Sequence, residues 1–393
     1  MSNQFVYADN AATTAMSRTC VEAMLPYMTD NYGNPSSLYS VGRSARRGLD
    51  EARARVAACL NAEPTEIFFT GCGTESDNWA LKGIAEAKAS KGKHIITSSI
   101  EHHAITHTLD WLKKKGYEVT YLKADPLGGI DLEELKAAIR PDTILISVMM
   151  ANNEIGTILP VAEIGRIARE HGVLFHTDAV QAAGHIPIDV KAMNIDMLSI
   201  SGHKFHGPKG VGALYIRKGV RVPQLLHGGG QERNQRSGTE NVPEIVGMAA
   251  ALEEAVRGLP ETMPRVAKMR DRLIEAFKDI PDSRLTGDPV NRLPGIASFV
   301  FECVEGESLV LSLDHEGICA SSGSACSSVS LDPSHVLLAI GLPHEVAHGS
   351  LRLSITDTTT DADIDYIIEK LPPIIERLRS MSPLWEDRLN GRF

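Results

Sequence analysis

From residue 66 to residue 216 the sequence alternates short apolar, β-branched runs with segments whose apolar residues recur at helical spacing. The runs predict buried strands, and the segments between them predict amphipathic helices. A chain that alternates the two in steady order folds into a mostly parallel sheet with helices on both faces. The predicted strands are 66–70, 94–98, 117–122, 143–150, 173–179, 196–200 and 211–216, and the predicted helices include 104–115, 132–139 and 161–171.

Five of these predicted strands end in a cluster of polar residues. In a sheet of this kind ligands bind beyond the carboxyl ends of the strands. Core packing does not account for polar clusters at five strand ends, so we expect a ligand site along this edge. The clusters are Gly73-Thr74-Glu75, Glu101-His102-His103, Asn152-Asn153-Glu154, Asp178 with Gln181, and Ser201–Lys204.

Lys204 lies between two histidines, His203 and His206, in a loop of glycine and proline that joins two predicted strands. Desolvation and cationic neighbours lower the pKa of a lysine and leave its amine able to act as a nucleophile. A turn lysine without chemistry is the alternative, and the local sequence favours neither.

The turn at residues 71–76, GCGTES, and the aspartate Asp178 add weight to a functional lysine. A turn between a strand and a helix start offers backbone N–H groups and a dipole that can hold a phosphate, although Thr74 could simply cap the helix. A carboxylate opposite a lysine is what a pyridoxal phosphate site needs, because it keeps the pyridine nitrogen protonated. Together Thr74, Asp178 and Lys204 favour such a site.

Cys326 lies in the segment 321–330, SSGSACSSVS, which is almost free of apolar residues. The six cysteines of the chain show no CxxC pair and no disulfide-like spacing, which fits a reducing compartment. A cysteine on a Ser/Gly loop is an oxidation liability unless its thiolate is used. Cys326 is therefore a candidate for catalysis.

The sequence HEVAH at 344–348 matches the pattern of zinc peptidases, which needs two histidines one turn apart on a helix. Here Pro343 precedes the pair and no third ligand is evident, so a zinc peptidase is the weaker interpretation. The histidines His102, His103 and His107 also lack Cys or acidic partners at ligand spacing.

Composition limits the class of partner. The chain has 393 residues and a formal net charge of −10, which argues against nucleic acid or an anionic membrane as the main partner. The sequence holds no apolar run of membrane-spanning length, and residues 1–10 lack the pattern of a signal peptide. We therefore expect a cytoplasmic protein.

The proline-rich stretch 281–294 predicts a connection into a smaller unit. We expect a large cofactor-binding domain over 16–259 and a small α+β domain over 260–393, with residues 1–15 packing against the small domain. The polar, glycine-rich loop 226–241 is expected to cover a site. The predicted helices of this half are 243–256, 266–279, 308–316, 334–340 and 364–381, and its predicted strands are 297–303 and 350–355.

The sequence closely resembles the NifS/IscS-type cysteine desulfurases, which are pyridoxal phosphate enzymes of the aminotransferase-like fold (fold type I). The match covers nearly the whole chain, and its series of motifs in one order is very specific. Departures are small: Tyr39 stands where a histidine is commoner, and residues 354–360 differ from the usual sequence. The motifs are DNAATT, GNPSS, TGCGTESDN, EHHA, ANNEIGT, HTDAVQ, SGHKFHGPKGVG, GGGQERNQRSGTEN and SSGSACSS.

The resemblance implies a role for each matching residue. Lys204 would hold pyridoxal phosphate covalently and move the Cα proton, His102 would stack on the ring and assist proton transfer, and Cys326 would take the sulfur as a persulfide. The residues implied to bind the cofactor are Gly73, Thr74, His102, Asn153, Asp178 (ring nitrogen), Gln181 (ring hydroxyl), Ser201, His203, Lys204 and, from the neighbouring subunit, Thr239. Those implied to bind the substrate carboxylate are Asn153 and Arg352.

The implied reaction converts L-cysteine to L-alanine and passes the sulfur on for iron–sulfur cluster assembly. It requires a homodimer and an acceptor, which the resemblance identifies as a NifU/IscU-like scaffold protein whose nascent cluster contacts Cys326 as a metal ligand. A selenocysteine lyase, an aminotransferase and a non-catalytic partner of a sulfur-transfer complex remain as alternatives.

Overall fold

The computed structural model describes residues 4–323 and 333–391. Its strands are β1 (Val6–Tyr7), β2 (Ile67–Thr70), β3 (His94–Ser98), β4 (Glu118–Leu122), β5 (Thr143–Ser147), β6 (Leu174–Asp178), β7 (Met197–Ser201), β8 (Gly212–Ile216), β9 (Ser283–Leu285), β10 (Ile296–Phe301), β11 (Ile318–Cys319) and β12 (Ser350–Ser354). Its α-helices are α1 (Arg18–Thr29), α2 (Ser40–Leu60), α3 (Gly73–Ala87), α4 (His103–Lys113), α5 (Leu132–Ala138), α6 (Val161–Glu170), α7 (Gln231–Asn234), α8 (Val242–Phe277), α9 (Gly306–His315), α10 (His335–Ala339), α11 (His344–Ala347), α12 (Asp361–Ser380) and α13 (Pro383–Leu389).

The main sheet has seven strands in the order β2-β8-β7-β6-β5-β3-β4. β3 pairs in parallel with β4 and β5, and β6 pairs in parallel with β5 and β7. β8 is antiparallel to both of its neighbours, β7 and β2. The mostly parallel α/β sheet that the alternation predicts is therefore confirmed, and the carboxyl ends of β3, β5, β6 and β7 meet at one edge.

β5 is shorter than predicted, because it ends at Ser147 and not at residue 150. The predicted strand 196–200 is present as β7, and the residues before it form turns in which Asn194 has a positive φ of 55°. Asparagine adopts this left-handed conformation more readily than most residues, so the turn is a local property of the sequence.

The predicted pair of helices with a break at 257–265 is wrong. A single 36-residue helix, α8, runs through Pro260 and Pro264. Residues before the prolines pack on the core of the main sheet and residues after them pack on a second core, so burial at both ends outweighs the two lost backbone hydrogen bonds.

No helix in the described part of the chain, α8 included, is long and apolar enough to cross a membrane.

The second core lies around a three-stranded antiparallel sheet of order β12-β10-β9. Helices α9 and α12 supply much of its apolar surface, and so do Val6 and Ala8 from the start of the chain. β1 pairs in parallel with β11, a contact between very short strands that the sequence analysis missed, as it missed β9 and α13. The division into domains at residues 259 and 260, which falls within α8, remains a prediction.

A buried ion pair fixes the loop after β8 to the edge of the main sheet. The two terminal nitrogens of Arg53 on α2 donate to the carboxylate of Glu232 at 2.7 and 2.6 Å, and both side chains are less than a tenth exposed. Arg53 also donates to the carbonyl of Ile67, and Glu232 accepts the backbone N–H of Phe69 at 2.9 Å. The two side chains thus neutralise each other's charge, and each also forms a hydrogen bond with the backbone of β2.

We expect Glu232→Ala to lower the free energy of unfolding by about 3–5 kcal/mol, because it leaves the charge of Arg53 buried without a partner. Urea unfolding followed by circular dichroism measures the loss. Asp50→Ala is the matched control: it breaks the exposed Arg46–Asp50 pair and is expected to cost about 0.5 kcal/mol or less. Equal losses in the two variants would contradict this account of the contact.

A second ion pair joins the loop after β7 to the segment after β12. His206, which has a positive φ of 63°, lies with its Nε2 atom 3.1 Å from the carboxylate of Asp357. Its Nδ1 atom lies 2.9 Å from the carbonyl of Ala15. Burial alone would lower the pKa of His206, but the hydrogen bonds and charge of these partners outweigh it and raise the pKa above its ordinary value. The same contact lowers the pKa of Asp357.

The Asp357 contact is therefore expected to stabilise the fold most between about pH 4 and about pH 6.5, where both groups are charged. Because the pKa of His206 is raised, this stabilisation is lost as the pH rises through that pKa. The measurement is the difference in free energy of unfolding between wild type and Asp357→Asn across this range and up to about pH 8.5. Asp361→Asn, which removes a partner of Arg272, is the control and should give a difference that does not change over this range. If the difference in free energy of unfolding for Asp357→Asn were also independent of pH, the pairing of Asp357 with His206 would be refuted.

Candidate active site

The loop that carries Lys204 is a single 3₁₀ turn, Gly202–Lys204, which joins β7 to the antiparallel strand β8. The backbone N–H of Gly207 donates to the carbonyl of Gly202 at 3.0 Å. A Cβ atom at Gly207 would lie 2.7 Å from that oxygen, so only glycine allows the chain to turn back so closely. The tight loop between two strands that the sequence predicts is thus present, and it brings Lys204 to the ligand-binding edge of the sheet.

A cavity of about 320 Å³ lies at this edge. A larger groove of about 1120 Å³ lies on the other side of the Lys204 loop, but it includes neither Asp178 nor Thr74. The smaller cavity is therefore the candidate active site. The predicted site residues that line it are Gly73, Thr74, His102, Asn153, Asp178, Gln181, Ser201, His203, Lys204 and Arg352.

Two of the predicted residues are not among these. Thr239 is exposed on the segment 226–241 and does not line the cavity of its own chain. That segment is held against the first turn of α3 by Arg236, whose Nε atom donates to Glu75 at 2.7 Å. Cys326 lies outside the described residues.

The N-terminal segment forms one wall of the cavity. The Nζ atom of Lys204 donates to the carbonyls of Ala11 and Ala12 at 2.7 and 2.8 Å. The side-chain amide of Gln181 donates to the same carbonyl of Ala11 at 2.8 Å. The backbone of residues 11 and 12 thus fixes the position of the amine that the sequence analysis singled out.

The first turn of α3 forms the opposite end of the cavity. Gly73 begins this 15-residue helix, and Thr74 follows it. A Cβ atom at Gly73 would lie 2.6 Å from the side chain of Val180, so glycine is required for the helix to start against the end of β6. The N–H groups at a helix start bind anions, and the hydroxyls of Thr74 and Ser201 line the same cavity.

Burial sets the charge of the groups around Lys204. It raises the pKa of Asp178 to about 6, while a hydrogen bond from the Val180 N–H and the charge of Lys204 act in the opposite direction. Burial and the charge of Lys204 lower the pKa of His102 and of His203 to about 4. Both imidazoles are therefore neutral near pH 7, and Asp178 is ionised.

Arg352 on β12 reaches the cavity from the second sheet. One terminal nitrogen donates to the carbonyl of Asn153 at 2.8 Å, and the other lies 2.9 Å from the carboxylate of Asp9. The Nε atom is buried and has no hydrogen-bond partner among residues 4–323 and 333–391. The guanidinium is therefore held in place at the cavity by its two terminal nitrogens.

The sequence analysis missed three polar residues at or behind the site. Asp9 contacts Arg352 directly, whereas Asp77 and His176 are almost completely buried. Each lies in or beside a motif that the sequence analysis quoted. The sequence could not identify these residues, because it shows which groups can ionise but not which ones are shielded from water.

The HEVAH segment forms the short helix α11. The rings of His344 and His348 meet edge to face with centroids 4.6 Å apart. Among residues 4–323 and 333–391 no group of three His, Cys, Asp or Glu residues is placed to hold a metal ion.

The residues of the cavity fit pyridoxal phosphate. The space of about 320 Å³ suits a small ligand, and it brings together an amine, a buried carboxylate and a helix start lined with hydroxyls. These groups match the aldehyde, the ring nitrogen and the phosphate of that cofactor. Arg352 lies at the same cavity, where it can bind the carboxylate of an amino acid.

Comparisons with known proteins support the same assignment. Residues 6–367 match the model of the aminotransferase class-V family. The cysteine desulfurase IscS of Methanosarcina thermophila is 58% identical over 382 residues, which cover 97% of this chain and 95% of the relative. A solved structure described as a NifS-like protein superposes with a TM-score of 0.90 at 40% identity, covering 95% of this chain and 100% of that one. A structure described as SspA in complex with cysteine gives 0.80 at 38% identity and covers 90% and 100%.

Identity of this level over nearly the whole length goes far beyond a shared fold. The aminotransferase class-V enzymes of this kind depend on pyridoxal phosphate, which agrees with the groups assembled around Lys204. The chain therefore belongs to the NifS/IscS-type cysteine desulfurases of the aminotransferase class-V family.

Proposed function

We propose that this chain uses Lys204, Cys326 and His102 to remove sulfur from L-cysteine, releasing L-alanine and leaving a persulfide on Cys326. The observation that carries the proposal is one cavity in which Lys204, Asp178 and Arg352 come together. This set serves the chemistry of an amino acid: an amine for the cofactor, a carboxylate for its ring nitrogen and a guanidinium for the substrate carboxylate. The complex of a similar protein, SspA, with cysteine supports cysteine as that amino acid.

Bound pyridoxal phosphate supplies an electron sink for the negative charge that develops at the substrate Cα. Asp178 would keep the ring nitrogen protonated, Gln181 would bond the ring hydroxyl, and His102, which is neutral, would stack on the ring and assist proton transfer. The first turn of α3 would hold the phosphate. The residues proposed for that task are Gly73, Thr74, Ser201, His203 and Thr239 of the partner subunit.

Substrate binding is proposed to depend on Arg352 and Asn153. The guanidinium of Arg352 lines the cavity and is held by its two terminal nitrogens, and a carboxylate is the acceptor that a guanidinium binds best. Asn153 lies next to this guanidinium and lines the same cavity. Lys204, which would hold the cofactor, would take the proton from the substrate Cα with its Nζ atom.

The sulfur-transfer step balances without an external oxidant. The thiolate of Cys326 attacks the substrate sulfur, and a new S–S bond forms as the Cβ–S bond breaks. The electron pair of the broken bond stays with Cβ, which takes up a proton, so the substrate carbon is reduced and the sulfurs are oxidised. L-alanine and the Cys326 persulfide are the products.

We further propose a homodimer, a scaffold of the NifU/IscU type as sulfur acceptor, and contact between the scaffold's nascent cluster and Cys326. Apolar side chains that stay exposed on α1 and after it, among them Leu25, Met28 and Tyr32, support a second copy as partner. The name IscS carried by a relative supports delivery to iron–sulfur assembly. The five described cysteines are free, which supports a reducing compartment such as the cytoplasm.

The first test removes the amine. Purified wild type should be yellow, and Lys204→Ala should lack the visible absorbance of lysine-linked cofactor and form alanine about 100-fold more slowly or worse. Lys209→Ala, an exposed lysine of the same loop, is the matched control and should keep both colour and rate. An unchanged spectrum in Lys204→Ala would exclude Lys204 as the cofactor lysine.

The second test removes the thiol. Cys326→Ser should stay yellow but release no sulfide from L-cysteine in the presence of a thiol reductant, because its hydroxyl cannot accept the sulfur. Mass spectrometry should find one additional sulfur atom on Cys326 of the wild type after reaction. Cys59→Ser on α2 is the control and should turn over normally. Sustained turnover by Cys326→Ser would remove Cys326 from the mechanism.

The same assay separates the related activities. Alanine formation from cysteine and from selenocysteine is compared, each with and without a keto acid. Faster reaction with selenocysteine would favour a selenocysteine lyase, dependence on the keto acid would favour an aminotransferase, and no turnover by the isolated protein would favour a non-catalytic partner.

A further inference from the structure

A row of polar side chains lies on one face of the main sheet directly behind the cavity. His176 and Asp178 are two residues apart on β6, so their side chains point to the same face. Ser147 on β5 pairs with His176, and Ser199 on β7 pairs with Asp178. The helix α3 packs on this face and adds Asp77, which also lines the cavity. All of these groups are almost completely buried.

Hydrogen bonds join this row into one chain. The Nδ1 atom of His176 lies 2.9 Å from the hydroxyl of Ser147, and its Nε2 atom lies 3.0 Å from the hydroxyl of Ser199. Nε2 also lies 3.6 Å from Oδ1 of Asp77, and the Ser199 hydroxyl interacts with the Asp77 carboxyl. Burial lowers the pKa of His176 to about 3, so the imidazole is neutral and donates through one nitrogen only. Which group donates and which accepts in each hydrogen bond of this row therefore depends on whether Asp77 carries a proton.

Asp77 is poorly placed to be a carboxylate. Its Oδ1 atom has no hydrogen-bond partner among the described residues, whereas Asp178 accepts the N–H of Val180 and interacts with the charge of Lys204. Burial, and then the charge of Asp178, raise the pKa of Asp77 well above its usual range. Glu101 and Cys72 act in the same direction.

We propose, on the basis of the function proposed above, that Asp77 is a positioning residue that stays protonated and leaves Asp178 as the one ionised carboxylate of the pair at the cofactor's ring nitrogen. The protonated carboxyl donates to Ser199, Ser199 donates to Nε2 of His176, and Nδ1 donates to Ser147. Two ionised carboxylates behind one cavity would repel each other strongly in this buried setting. A neutral Asp77 removes that repulsion and still fills its place against the sheet.

Infrared spectroscopy of the full-length protein, with and without cofactor, tests the protonation state directly. We expect the spectrum of wild type minus Asp77→Asn to contain the carbonyl band of a protonated carboxyl group near pH 7. Asp110→Asn, at an exposed position, is the control and should give no such band. Glu101 is also buried and its pKa is raised to about 8, so Glu101→Gln identifies the band of that second group. If Asp77→Asn lost the band of an ionised carboxylate and not that of a protonated carboxyl group, the proposal would be overturned.

A second measurement needs no substitution at Asp77. Wild-type protein that is produced with isotopic label in the aspartate carboxyl carbons should show the band of the protonated carboxyl group at a shifted frequency. An unshifted band would exclude aspartate as its source. Ser199→Ala should shift the frequency of the band, because it removes the acceptor to which the protonated carboxyl donates. An ionised Asp77 would give no band for Ser199→Ala to shift.

Cofactor affinity supplies the functional readout. Asp77→Asn, which is neutral like the protonated acid, should bind pyridoxal phosphate within about threefold of wild type, whereas Asp178→Asn should bind about 10-fold to 100-fold more weakly. Equal weakening in both would overturn the proposal. The infrared experiment needs neither substrate nor turnover, so failure of wild type to form alanine would count against the proposed function alone.

Discussion

The placement of a buried carboxylate and an amine at the ends of two neighbouring strands is the constraint on which the site depends. Asp178 ends β6, and the loop after β7 brings Lys204 to the same cavity. Because β8 runs antiparallel to β7, a tight turn suffices between them and no crossover helix separates the lysine from the sheet. The reversal of strand direction between β7 and β8 therefore places Lys204.

The cavity concentrates its positive charge on two side chains. Burial and the charge of Lys204 keep His102 and His203 neutral, so Lys204 and Arg352 are the cations that a ligand meets. Each is fixed by oxygen atoms of the N-terminal segment: carbonyls for Lys204 and the Asp9 carboxylate for Arg352. The two cations are thus held at separate, prearranged places of one cavity.

The main sheet and most of the cavity could be predicted from the sequence, because strand periodicity and polar residues at strand ends are local signals. The continuity of α8 could not, since it depends on packing at both ends that overrides two prolines. The contacts Arg352–Asp9 and His206–Asp357 join residues far apart in the chain, and no local sequence pattern predicts them. Asp77 and His176 were missed because their burial is a property of the fold. Cys326 lies outside the described residues, so its role depends on the sequence and the family.

The position of β1 has a consequence for how the protein is made. Val6 and Tyr7 pair with β11 at Ile318 and Cys319, and Asp9 bridges to Ser354 beside Arg352. A ribosome synthesises the first of these partners hundreds of residues before the second. The main sheet can form while synthesis continues, but the wall of the cavity that holds Lys204 and Arg352 closes only when the last strand has left the ribosome. The nascent chain therefore carries no complete site that could act on a free amino acid.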